Sequence, residues 1–143
     1  MTTRSETENN CARRDDQNSF SAWEPGQSLS DRLRFDGCDI AEGNLVLRFF
    51  SPASEQNMVI ETDTHLLVRY ANESANFVEF DQLPIANQRM FVSRRSMWLR
   101  ELSVGSSGVF DELSPMHYVF IFSNASVEMI CIGEPRIIKK GAE

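Results

Sequence analysis

Two apolar runs, Met116 to Phe122 and Val127 to Ile132, flank the polar tetrad Ser123-Asn124-Ala125-Ser126. β-Branched and aromatic residues fill both runs, and a polar break of this length is a common hairpin loop, so the pattern predicts an antiparallel hairpin. A strand with one wet face alternates apolar and polar positions. These runs hardly alternate, which places the hairpin in the middle of the fold with other elements covering each side.

Upstream, Leu33 and Phe35 alternate with Arg32, Arg34 and Asp36, the period of a half-buried strand, and Asp36-Gly37 then offers a turn. Leu45 to Phe50 reads as a second strand ending at Ser51-Pro52, Met58 to Ile60 as a short third, and His65 to Tyr70 as a fourth with Leu66, Val68 and Tyr70 on one face. Short turns between these four predict a meander, because parallel pairing would need longer crossovers. Asn72 to Leu83 reads as a short turn of helix or an irregular segment ending before Pro84. Met90 to Ser93 is a further short strand. Ser96 supplies a hydroxyl cap for a helix through about Val104, with Trp98 and Leu102 on its buried side and Gly105 as the stop. Arg136 to Lys140 closes the chain as an edge strand whose lysines discourage aggregation. The class that follows is α+β, β-dominated: a curved antiparallel sheet or partly closed barrel with one short helix packed against it.

Residues 1–28 carry no hydrophobic period and read as a flexible polar N-terminal tail, mobile through about Ser19, with Trp23 before Glu24-Pro25-Gly26 pinning its end to a single antiparallel β-rich domain over residues 29–140. A chain of 143 residues can bury a core without a disulfide or metal. Its three cysteines, Cys11, Cys38 and Cys131, are odd in number and far apart, which fits a reducing cytoplasmic setting. No secretory signal pattern or apolar stretch of membrane-spanning length stands out. The net charge of −7 argues against a general nucleic-acid binder and permits a basic partner. Residues 31–81 hold ten acidic side chains against four arginines, whereas residues 82–104 reverse the sign. These charges either compensate one another in space or form an acidic docking patch.

Candidate chemistry is sparse. His65 and His117 stand in no zinc-binding spacing, and a site built from them with Cys38 or Cys131 would draw on distant strands, so neither metal nor cofactor is expected. His117 reads as a residue hydrogen-bonding a carbonyl or carboxylate, with a catalytic base as the competing role. Asp63 and His65 fit an acid–base pair or plain turn chemistry. There is no GxSxG elbow, P-loop or GxGxxG pattern. Arg89, Arg94, Arg95 and Arg100 cluster at a strand-to-helix transition, where they either bind an anion or pair with the acidic first half.

Taken together, Leu45 to Phe49, Leu67 to Ser74, Ser96 to Leu102, Ser107 to Phe110 and His117 to Asn124 resemble a loose group of small bacterial proteins of the immunity-protein type, from polymorphic or contact-dependent toxin systems. The resemblance spans roughly residues 33–135 and rests on strand and turn patterns, so it carries over no functional residue. It implies a small cytoplasmic protein that works through its surface. The expectation is a non-enzymatic protein-binding module, concretely an immunity-like inhibitor of a basic toxin domain, with Asp36, Asp39, Glu42, Glu61, Asp63 and Glu73 as contact residues. The alternative is a small-molecule-binding β-barrel, or a small enzyme on one, with Tyr70, Trp98, His117 and Tyr118 around a pocket. A third role is self-assembly through the C-terminal edge strand.

Overall fold

The computed structural model describes residues 20–29, 32–72 and 88–140. In chain order it contains β1 (Phe20–Ala22), β2 (Arg34–Ala41), β3 (Asn44–Ser51), β4 (Gln56–Thr62), β5 (His65–Asn72), β6 (Met90–Ser93), α1 (Met97–Gly105), β7 (Met116–Ile121), β8 (Ala125–Cys131) and β9 (Arg136–Lys139). One sheet runs β1-β6-β7-β8-β5 and the other β2-β3-β4-β9, with every pairing antiparallel. The β-dominated α+β class therefore holds. The sheets pack face to face and are not joined into a barrel.

The β7–β8 hairpin is the centre of the larger sheet, and all seven residues of β8 are buried. Its turn is tighter than the polar tetrad implies. The Phe122 amide donates to the Ala125 carbonyl, leaving Ser123-Asn124 as a two-residue turn, while Ala125 and Ser126, both small, enter the strand. The Asn124 side chain accepts from the Phe35 amide at 2.9 Å and donates to the Phe35 carbonyl at 3.0 Å, tying the hairpin tip to β2 in the other sheet.

Between the sheets, Leu45, Leu47 and Phe49 of β3 and Met58 and Ile60 of β4 meet Phe120, Val127, Met129 and Cys131 of the hairpin. Burial of each large apolar side chain is worth about 1.5–3 kcal/mol. The other face of the larger sheet carries a smaller cluster, Phe20, Phe91 and Val119, beside α1. The pleat sorts the hairpin residues between these two faces, which explains why its sequence is apolar at nearly every position.

Three expectations are corrected. First, Asp36-Gly37 does not end a strand: it forms a bulge within β2, and the turn lies at Glu42-Gly43. Gly37 sits at φ +154° with the Arg48 guanidinium against the position a Cβ would take, so only glycine fits. Second, the meander stops at β4. Thr64 accepts at its hydroxyl from Gly133 and at its carbonyl from Ile132, which carries β5 across to the larger sheet beside β8. Third, the boundary at residue 28 cuts through folded structure. Phe20–Ala22 pairs with β6, and Trp23 is buried against Tyr118 and Phe120.

The helix reading is close. Ser96 caps α1 by accepting from the Leu99 amide at 3.1 Å, although Leu99 is its buried residue while Trp98 and Leu102 are half-buried. β9 is an edge strand as expected. Residues 73–83, read as short helix or irregular, lie outside the described residues, as does the tail through residue 19.

Candidate functional site

The strongest concentration of polar chemistry lies on the helix-facing side of the larger sheet. Antiparallel register sets Arg69 of β5 directly opposite Glu128 of β8, and places His117 of β7 on the same face, one diagonal step away. His117 Nε2 lies 2.6 Å from Glu128 Oε1, and Arg69 Nη2 donates to the same oxygen at 2.9 Å. His117 Nδ1 lies 2.6 Å from Ser96 Oγ, the oxygen that caps α1. Glu128 and His117 are both 0% exposed, whereas the Arg69 side chain retains 27%. Trp98 lies over the Arg69 guanidinium at 4.1 Å and meets the His117 ring edge-on at 5.1 Å, with Phe20 against the same ring at 5.2 Å.

One hydrogen assignment is consistent from the Leu99 amide to Glu128 Oε1, while the buried Oε2 of Glu128 has no hydrogen-bond partner among the described residues. The imidazole Nε2–H donates to Glu128, the Ser96 hydroxyl donates to Nδ1, and the Leu99 amide donates to the Ser96 oxygen. A carboxylate removed from water needs such partners, and Arg69 supplies the balancing charge. The residue types match a serine–histidine–acid relay, but the connectivity is exchanged: in that relay the hydroxyl sits on Nε2 and the acid on Nδ1. Ser96 is also only 2% exposed, with its oxygen engaged as the helix cap. The arrangement thus locks α1 onto the sheet and leaves the hydroxyl little approach for a substrate.

Of the four pocket candidates, the structure brings Trp98 and His117 together and separates the others. Tyr118 follows His117 in β7 and points to the opposite face, where it packs edge-on against Trp23. Tyr70 stands at the sandwich rim, 56% exposed, in ring contact with Phe35. The space between the sheets, where a barrel would hold a ligand, is packed with side chains.

The acidic candidates divide as well. Asp36 pairs with Arg34 at 2.9 Å, Asp39 with Arg48 at 2.9 Å and Glu61 with Arg136 at 2.7 Å, so compensation in space accounts for these three. Asp39 and Glu61 lie on one row across the outer face of the smaller sheet, each opposite Val46. Glu42 occupies a left-handed turn position and Asp63 an exposed turn, while Glu73 lies outside the described residues. His65 makes no hydrogen bond at its buried Nδ1, and Asp63 is not its partner. Among the described residues, no group of three or more histidine, cysteine or acidic side chains is placed to hold a metal, and no helix is long and apolar enough to cross a membrane.

The sequence reading passed over Glu128. Its signal was present: one carboxylate inside an otherwise apolar central run demands a buried cation or donor, and Arg69 and His117 answer that demand.

Two groups of the core set the alkaline behaviour. Burial pushes the Cys131 thiol from 9.0 up to about 12, opposed by a hydrogen bond with Thr62, and burial also raises the Tyr118 phenol. The fold holds the Cys131 proton more tightly than the unfolded chain does. Stability is therefore retained below about pH 9 and falls above it, by up to about 1.4 kcal/mol per pH unit from Cys131 alone. Urea unfolding between pH 8 and pH 11 checks this: Cys131→Ala should flatten the decline, and an unchanged slope would remove the thiol as its source.

The remaining distinctive feature is the edge of β2, which has no second strand neighbour among the described residues. This strand spans eight residues, against four in β9, the other edge of its sheet. Cys38 to Ala41 are all exposed, and Ile40 is 60% exposed although Leu45 opposite it is fully buried. Comparisons of the chain with protein-family models, with curated proteins and with solved structures returned no match.

Proposed function

We propose that this chain is a non-enzymatic protein-binding module that receives its partner along the edge of β2. The observation that carries the reading is that edge, eight residues long and without a second strand neighbour among the described residues, with Ile40 and Cys38 exposed beside it. Unpaired ladder groups on such an edge offer main-chain hydrogen bonds to an added strand, and flanking side chains supply selectivity. Asp36, Asp39 and Glu42 belong to the same strand and its turn. The net charge of −7 would speed encounter with a basic partner. An immunity-like inhibitor of a basic toxin domain, acting in the cytoplasm, is the concrete form of this proposal. The exchanged and covered serine–histidine–acid chain supports a binding role over a hydrolytic one.

The test is capture by the tagged chain from its own lysate at low and high salt, with Cys38→Lys and Ile40→Lys in parallel. One stoichiometric protein should be retained at low salt, and each lysine variant should weaken its retention at least about tenfold, or about 1.4 kcal/mol. Retention that the lysines leave intact would remove β2 from the interface. A second copy pairing along β9 is the competing occupant of an edge, and sedimentation at two concentrations reads it directly.

A further inference from the structure

We propose that the groove between the start of α1 and the Asp111–Met116 segment binds a small dianionic molecule, a phosphate monoester with a small apolar body. The cavity measures about 700 Å³ and is lined by Arg94, Arg95 and Arg100. That volume falls within the range of small-ligand sites, about 300–1,000 Å³. Elsewhere Arg34, Arg48, Arg69 and Arg136 are each joined to a carboxylate. Arg94 and Arg100, both exposed, make no ion pair with a described carboxylate, in a chain whose acidic residues outnumber its basic ones by 21 to 14. Three guanidiniums on one concavity, each a planar fork of donors, match the several acceptor oxygens of a tetrahedral phosphate.

The turn that carries them is fixed from below. Ser93 Oγ accepts from the Arg95 amide at 3.0 Å, and Ser96 is held by Leu99 and His117, so little backbone ordering remains to be done on binding. The helix start is not the attraction, since the Ser96 oxygen already takes the Leu99 amide. Arg94 and Arg95 also line an adjoining cavity of about 400 Å³ with Ser21 and Ser93, so they stand as a ridge between two concavities.

The groove floor sets the rest of the ligand. Leu99 and Met116 offer an apolar surface beside the arginines. Asp111, held by the Ser103 hydroxyl at 3.1 Å, places one negative charge on the wall. It accepts a donor from the ligand body and leaves the cationic end for the phosphate. This site is separate from the β2 edge, so the failure of either proposal leaves the other standing.

The experiment is a nuclear magnetic resonance titration of the full chain with phenyl phosphate, against sodium chloride at matched ionic strength. Saturable shifts are expected at the Arg94, Arg95 and Arg100 Nε–H signals and at the Leu99 and Met116 methyls. Arg94→Gln with Arg100→Gln should weaken binding at least about tenfold. Arg100→Glu alone provides the same reading if the double variant does not fold. Shifts that sodium chloride reproduces, or an affinity unchanged in the variants, would overturn the proposal.

Discussion

Replacing Glu128 with alanine is expected to destabilise the fold by about 3–5 kcal/mol, the cost of removing one partner from a buried ion pair. The carboxylate is wholly buried and receives Arg69 and His117 at one oxygen. Its loss leaves the guanidinium and imidazole facing each other across an emptied position, beneath Trp98. Glu128→Gln keeps an acceptor oxygen and should cost less, about 1.5–3 kcal/mol, as expected for hydrogen bonds to charged groups. Urea unfolding with the slope held constant separates these values from a change in the unfolded ensemble. A double-mutant cycle of Glu128→Gln with His117→Ala should show coupling of about 0.5–3 kcal/mol. Independent, small effects would mean that the four-residue chain does not hold α1 to the sheet.

Trp23→Ala should lower stability by about 3–5 kcal/mol, the usual range for truncating a large core aromatic. The indole packs against Tyr118 and Phe120 at 5.6 Å between ring centres and donates from Nε1 to Glu134 at 2.9 Å. Its amide donates to Met90, continuing the ladder that begins at Phe20. Trp23→Phe retains the packing and loses only the bond to Glu134, an exposed residue, so it should cost about 1 kcal/mol. Because the chain has two tryptophans, Trp98→Phe leaves Trp23 as the sole indole reporter of the core. A small loss in Trp23→Ala would place residues 20–29 outside the cooperative unit.

These two predictions mark different degrees of legibility. Trp23 announced itself as an aromatic beside a Pro-Gly turn, yet the sequence set the domain boundary past it, because β1 has only three residues and acquires its identity from β6. Glu128 stood in plain view inside the central run, but its partners come from residues 59 and 11 positions away. The arginine cluster was visible as a run. Arg89 nevertheless lies apart from it, beside Arg32 and Ser123, because β6 separates it from the start of α1.

The sequence by itself determined the features that depend on near neighbours: the central hairpin, the strand periods of β3 and β4, the Ser96 cap of α1, and the edge character of β9. Local hydrogen bonding and side-chain alternation fix these before any distant segment arrives. The tertiary structure decided which strands share a sheet, why β5 crosses to β8, and which arginines find a carboxylate. Those outcomes rest on contacts between distant segments, whose order follows from how two apolar faces cover one another, and no local pattern encodes that choice.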